Sequence, residues 1–215
     1  MLKCSTSLWS ADLGNLTAEV HRVNEYSERF HLDVADGHYT PTMLFFPDLV
    51  AALRPHTMLP FEVHLMCTRP LDWIEPFSEA GADVFIFCYD SLDDVNVAID
   101  QVKKANKEVG ISLSLDDPLD VLEPYWSQLD LVCLIGTPVG TKGTEMNDDA
   151  FDRIAAVRRI IDERGLNCLI QADGGIRRHT VPRIYSAGAD YIVPGSLMFK
   201  EDPLEMRKWL ASLEK

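Results

Sequence analysis

An α/β chain closed into a single-domain (β/α)8 barrel, the TIM-barrel architecture, is predicted by three features of this 215-residue sequence. Eight short runs of β-branched and aromatic residues alternate with longer amphipathic stretches, as a βα repeat requires. No Gly/Ser-rich or Pro-rich linker and no low-complexity run divides the chain, so residues 1–215 read as one domain. The unusual polar residues fall at the C-terminal ends of the runs, the face on which a barrel gathers its βα loops. An open doubly wound sheet is the rival, but it usually has fewer strands, and the glycine-rich first turn of a dinucleotide site is missing here.

The strands are read in order as KCSTSLW (3–9), FHLDV (30–34), PFEVHL (60–65), DVFIFC (83–88), VGISLS (109–114), LDLVCLI (129–135), CLIQA (168–172) and DYIVP (190–194). Helical period appears in NLTAEVHRVNEY, PLDWIEPFSEA, VNVAIDQVKKAN, DAFDRIAAVRRIIDERG and TVPRIYSAG, and each of the last four leads within a few residues into a new strand. Two of these junctions read AGAD, a helix-ending glycine followed by an aspartate at the strand entrance.

Composition narrows the partners. The net charge of −14 argues against nucleic acid and anionic membranes, which demand basic surface. A small anionic substrate stays compatible, because a nest of backbone N–H groups can hold phosphate against an unfavourable overall field. No apolar stretch approaches the length of a membrane span and the N-terminus lacks a signal-peptide pattern, so a cytoplasmic protein is expected. The five cysteines (4, 67, 88, 133 and 168) show no CxxC pairing and sit among apolar neighbours, the pattern of reduced, buried thiols.

Chemistry concentrates in HLDVADGH (31–38). Residues two apart on a strand share a face, so His31 and Asp33 project together. His64 ends the third strand and Asp173 follows the seventh. Two histidines and two carboxylates from three strands are a donor set for one divalent ion: Zn2+, Fe2+, Mn2+ or Co2+. Each alone has a plainer explanation, a hydrogen-bonded histidine or an Asp-Gly turn; their convergence on one barrel mouth carries the reading. Aspartates on opposite faces of a substrate carbon could remove a proton from one side and return one to the other, while the metal polarises an adjacent carbonyl. That is the machinery of an epimerase acting next to a ketone. The glycine-containing loops GTPVGTKG (136–143), DGGI (173–176) and PGS (194–196) follow adjacent strands, where barrels commonly bind phosphate. Gly175, Gly195 and Ser196 could offer backbone N–H donors, with Gly140 closing over them.

At these residues the sequence resembles the ribulose-phosphate 3-epimerase family. The similarity runs over nearly the whole chain, through SLWSADLGNL (7–16), HLDVADGHYTP (31–41), FEVHLM (61–66), AGAD (80–83), DGGI (173–176) and AGADYIVPGSLMF (187–199). The resemblance implies that His31, Asp33, His64 and Asp173 bind the metal and that Asp33 and Asp173 are the acid/base pair. It further implies that Ser7 and Met66 meet the substrate, that Gly140, Gly175, Gly195 and Ser196 hold its phosphate, and that the protein is a homo-oligomer. The family usually caps the reacting carbon with three methionines; here the first position is Ala35, the second Met66 and the third Ile135. Trp9, expected on the strand face of Ser7, replaces a family leucine. Cys88 stands where histidine is common, and GTPVGTKG, with Lys142, replaces a glycine-richer loop. Ala35 is expected to enlarge the space beside the substrate. Glu62, sharing a face with His64, is a possible partner for it and is left outside the site.

The reading is a metal-dependent epimerase inverting C3 of a ketose phosphate through an enediolate, either ribulose 5-phosphate/xylulose 5-phosphate or a related tetrulose or hexulose phosphate. Two alternatives stay open. One is a non-catalytic sugar-phosphate-binding barrel. The other is an aldolase or decarboxylase, which typically needs a lysine at the end of an interior strand, where the sequence places none.

Overall fold

The computed structural model describes residues 2–213. Eight strands form the wall of a closed parallel barrel: β1 (Lys3–Ser7), β2 (Arg29–Asp36), β4 (Phe61–Met66), β5 (Val84–Cys88), β6 (Glu108–Leu113), β7 (Leu131–Ile135), β8 (Leu169–Asp173) and β9 (Tyr191–Ile192). Each pairs with its neighbour, and β1 pairs with both β9 and β2, which closes the ring. A two-residue strand, β3 (Met43–Leu44), turns back antiparallel onto the end of β2.

Helices α1 (Leu16–Val23), α2 (Pro47–Leu53), α3 (Ile74–Glu79), α4 (Val95–Lys104), α5 (Asp149–Arg164), α6 (Val181–Ala187), α7 (Ser196–Phe199) and α8 (Pro203–Ser212) follow the strands. Local chemistry sets their limits. Asp94 and Asp202 cap α4 and α8 by accepting backbone N–H groups of the first turn. Gly165 and Gly188 end α5 and α6 in the left-handed conformation that glycine adopts without a Cβ clash. On α5, Ala150, Phe151, Ile154, Val157 and Ile161 recur at helical spacing and bury one stripe against the barrel.

The aspartates of the two AGAD junctions have a further use. Asp83 accepts the backbone N–H of Phe61, and Asp190 that of Ile170, so each fastens the start of a neighbouring strand. Asp130 does the same for Val109.

Some boundaries differ from the sequence reading: the last strand, read as 190–194, is only Tyr191–Ile192, and the sixth begins at Leu131 rather than 129. The first strand ends at Ser7 rather than Trp9, because Leu8–Ser10 turn into a 3-10 helix closed by Ala11 N–H on the Leu8 carbonyl. After β6 the chain makes only a 3-10 turn, Leu119–Leu122, whose Leu122 packs inward with Trp126 and Leu129. The main core lies between the strands and the helices. A smaller cluster of Val84, Ile86, Leu131, Cys133 and Ile135 fills one side of the barrel interior. All five cysteines are free and buried.

Candidate active site

Register assembles the site. In the parallel ladder between β2 and β4, Asp33 stands beside His64, His31 beside Glu62 and Ala35 beside Met66; across β7 and β8, Ile135 stands beside Asp173. Ser7 of β1 is level with His31. Alternation along each strand then turns Ser7, His31, Asp33, His64, Met66 and Asp173 toward the barrel axis. One ligand atom from each of His31, Asp33, His64 and Asp173 lies within 4.8 Å of the other three.

The hydrogen bonds around the histidines fix which nitrogen faces the centre. His31 Nδ1 donates to Glu62 Oε1 at 2.7 Å. Glu62 is fully buried and also accepts from Ser5 Oγ and Gln171 Nε2, with the Arg29 guanidinium 3.4 Å away, so it is held as a carboxylate. Ser112 Oγ donates its only proton to the Phe87 carbonyl and is therefore the acceptor for His64 Nε2 at 3.0 Å. The remaining nitrogens, His31 Nε2 and His64 Nδ1, are buried and have no hydrogen-bond partner. His31 Nε2 lies 3.3 Å from Asp33 Oδ1 and 3.8 Å from Asp173 Oδ2, and His64 Nδ1 lies 3.8 Å from Asp173 Oδ2. Two orphaned ring nitrogens and two carboxylates around one point, each imidazole held through its other nitrogen, fit a divalent transition metal. These four residues could hold one.

Electrostatics separates the two aspartates. Burial raises Asp33, but His31 and His64 beside it and the 2.8 Å hydrogen bond from Ser7 Oγ outweigh that and hold it below its ordinary value. Burial pushes Asp173 up to about 6, with His31 opposing and the Asp33 charge adding. His31 is disfavoured as a cation by burial, yet the Asp33, Glu62 and Asp173 carboxylates raise it well above the usual histidine value. Burial and the adjacent His31 charge lower His64 to about 4. One aspartate is thus a ready base and the other retains a proton more easily, a division suited to acid–base chemistry.

Above this floor opens a cavity of about 290 Å3. Among the expected residues Ser7, Asp33, His64, Met66, Gly140, Asp173, Gly175, Gly195 and Ser196 line it, while His31 lies beneath, fully buried. Gly175 has φ +69°, and a Cβ there would come within 2.4 Å of the Met146 backbone nitrogen, so the loop after β8 needs glycine. Gly195 packs against Ser10 and Gly140 against Thr40. Trp9 reaches the cavity from the 3-10 turn rather than from the strand.

Several contributors differ from the sequence reading or lie outside it. Glu62 partners His31, not His64, because register places it directly beside His31 on the next strand. The space left by Ala35 is covered: Val139, from the loop after β7, packs on Ala35, Met66 and Cys88 along with Tyr39 and Leu44. Arg177 and Lys200 line the cavity together with Lys142. Strand alternation was a signal for Glu62; nothing local marks Val139.

Comparison with known proteins follows the same lines. A family model described as the ribulose-phosphate 3 epimerase family matches residues 3–199. The chain is 34% identical over 201 residues to a ribulose-phosphate 3-epimerase of Bacillus subtilis, covering 93% of each. It is 36% identical over 194 residues to one of Treponema pallidum, covering 90% of this chain and 89% of that one. Among solved structures, 3-hexulose-6-phosphate synthase from Salmonella typhimurium superposes with a TM-score of 0.69 at 19% identity, over 99% of this chain and 98% of that one. KGPDC from Streptococcus mutans gives a TM-score of 0.71 at 13% identity, over 100% and 98%. At such identities these two show the shared barrel fold.

Proposed function

The chain belongs to the ribulose-phosphate 3-epimerase family, and on that premise we propose that it inverts C3 of a ketose phosphate, ribulose 5-phosphate or a close tetrulose or hexulose relative, with Asp33 and Asp173 as the acid/base pair. It is an enzyme of the carbohydrate-epimerase class. The observation that carries the finer reading is the convergence of His31, Asp33, His64 and Asp173 at the floor of a cavity walled by three glycine-containing loops.

In this reading Asp33, held ionised by its neighbours, takes the C3 proton from one face of the substrate. Asp173, whose carboxyl is the more easily protonated, returns one to the other face, and the roles exchange in the reverse direction. Ser7 fixes the Asp33 carboxylate through Oδ2 and leaves Oδ1 toward the centre. Met66, Ile135 and Val139 present apolar surface that keeps water from the carbanionic carbon. Gly175, Gly195 and Ser196, with Gly140 opposite, hold the phosphate and so set which carbon lies between the aspartates. A divalent ion held by His31, Asp33, His64 and Asp173 would polarise the C2 carbonyl and offset the charge that develops there.

No helix among the described residues is long and apolar enough to cross a membrane. A cytoplasmic homo-oligomer is part of the proposal; exposed Met43, Phe46 and Trp73, flanking the ends of β2 and β4, are surface such an assembly would cover. Sedimentation velocity tests that part. The chemistry is tested by incubating the enzyme with ribulose 5-phosphate in deuterated water and following C3 by NMR. Label at C3 with xylulose 5-phosphate appearing supports it. Absence of label across pentulose, tetrulose and hexulose phosphates would falsify it.

A further inference from the structure

Each of the three segments walling the cavity brings a cation to it: Lys142 follows Gly140, Arg177 follows Gly175, and Lys200 closes the short helix that Ser196 begins, while the neighbouring Arg178 pairs with Glu201. In a chain with 34 acidic and 20 basic side chains, cations are readily paired. Arg164 meets Glu123 and Arg183 meets Asp148, each at 2.7 Å. Lys142, Arg177 and Lys200 form no ion pair with a carboxylate among the described residues, although all three line one cavity. Arg177 Nη1 donates only to the carbonyl of its own neighbour Ile176. Lys142 Nζ crosses the mouth to the Trp9 carbonyl at 2.8 Å and lies 5.6 Å from the centre of the Trp9 ring. The next residue, Ser10, packs on Gly195, so this bridge ends beside the loop after β9.

We propose that Lys142, Arg177 and Lys200 form a side-chain clamp that selects a dianionic phosphomonoester, with Lys142 exchanging the Trp9 carbonyl for a phosphate oxygen when substrate arrives. This rests on the epimerase reading for the position of the phosphate. Physically, a lysine on a neutral carbonyl makes a weaker bond than on an anionic oxygen, so the exchange is downhill. Three unpaired cations also exceed what a neutral ketose could use, and they oppose the repulsion that a chain of net charge −14 exerts on any anion. The clamp makes the phosphate dianion, rather than the sugar chain, the principal determinant of binding.

The test replaces each residue by methionine, singly and together, and adds the conservative variant Lys142→Arg. Lys142 and Lys200 are exposed, so their removal leaves the fold intact. The loss should fall mainly on KM: about fivefold for each lysine, as for solvent-accessible ion pairs, and about tenfold or more for Arg177, as for a charge-assisted hydrogen bond. Lys142→Arg should restore most of the loss. Raising salt toward about 1 M, which shortens the screening length to about 3 Å, should raise KM of the wild type steeply and that of the triple variant little. Calorimetric titration with inorganic phosphate reads the clamp without turnover. Phosphate binding that weakens in the variants, in a protein that turns over no ketose phosphate, keeps the clamp and removes the epimerase reading. Variants that retain the wild-type KM, salt slope and phosphate affinity overturn the clamp.

Discussion

Replacing Glu62 by glutamine is a stringent probe of how the floor of the site is held. The side chain is fully buried, and its surroundings are all donors: Ser5 Oγ at 2.8 Å, His31 Nδ1 at 2.7 Å, Gln171 Nε2 at 2.7 Å and the Arg29 guanidinium at 3.4 Å. A carboxylate accepts from all of them. Ser5, His31 and Gln171 all donate to Oε1, where a glutamine keeps its carbonyl oxygen, so the new NH2 falls on the Oε2 side against Arg29 and His31 Nδ1–H is left with a neutral, weaker acceptor. Substituting such an orienting partner typically costs about 10–100-fold in metal affinity. Removing one member of a buried charge pair costs about 3–5 kcal/mol, and because Arg29 keeps Glu108 at 2.7 Å the lower end, about 3 kcal/mol, is expected. For a chain of this length that corresponds to a fall in Tm of about 6–12 °C. Competition with a chromophoric chelator measures the affinity and a thermal melt the stability. A variant that binds zinc or manganese as tightly as the wild type would show that the Glu62 charge does not tune His31 as a ligand.

Asp36 accepts backbone N–H groups from His38, Tyr39 and Thr68 and the Thr68 hydroxyl; burial opposes its charge, but these bonds hold its pKa far below the usual range. The stability it contributes is present above the ordinary aspartate pKa of about 3.9 and is lost as pH falls from there toward the folded value. Asp36→Ala should therefore be less stable than wild type at neutral pH, with the gap narrowing in acid; denaturant titrations showing a constant gap refute this. Gly175→Ala places a Cβ against the Met146 backbone at positive φ and should cost at least about 1–3 kcal/mol, read as a lower Tm and a raised KM. An unchanged melt would mean that the loop is not constrained as described. Val139→Ala should reopen the space over Ala35 and shift relative kcat/KM toward the longer ketose phosphates by about tenfold, the worth of a buried methylene or two. If the preference stays put, Val139 is not part of the substrate wall.

Much of the site was legible because a β-strand has a strict period of two. His31 and Asp33 had to share a face, and a barrel brings strand ends to one mouth, so the partners His64 and Asp173 followed without coordinates. What required the structure was register between strands. Glu62 was visible as an inward carboxylate, but whether it served His64 on its own strand or His31 on the next depends on a pairing that no single sequence encodes locally. Val139 belongs to the same class: a loop residue whose value comes from where its loop folds, over an alanine more than a hundred positions away. Strand ends were read less well than their centres. The run 3–9 has no Gly, Pro, Asn or Asp to mark its end, and the chain leaves the sheet at Leu8 because a 3-10 turn satisfies its backbone there, carrying Trp9 to the rim.

The most direct test of the central claim is proton exchange at C3 of ribulose 5-phosphate in deuterated water by the metal-replete wild type, Asp33→Asn and Asp173→Asn. Asparagine is nearly isosteric with aspartate, so circular dichroism and calorimetric phosphate binding should match the wild type. If the two aspartates work from opposite faces, the wild type places deuterium in newly formed xylulose 5-phosphate before it appears in recovered substrate. Each variant should then lose at least about 10²–10⁴-fold in turnover, the usual worth of a positioned general acid or base. Near-native epimerisation by either variant would contradict the two-aspartate mechanism outright.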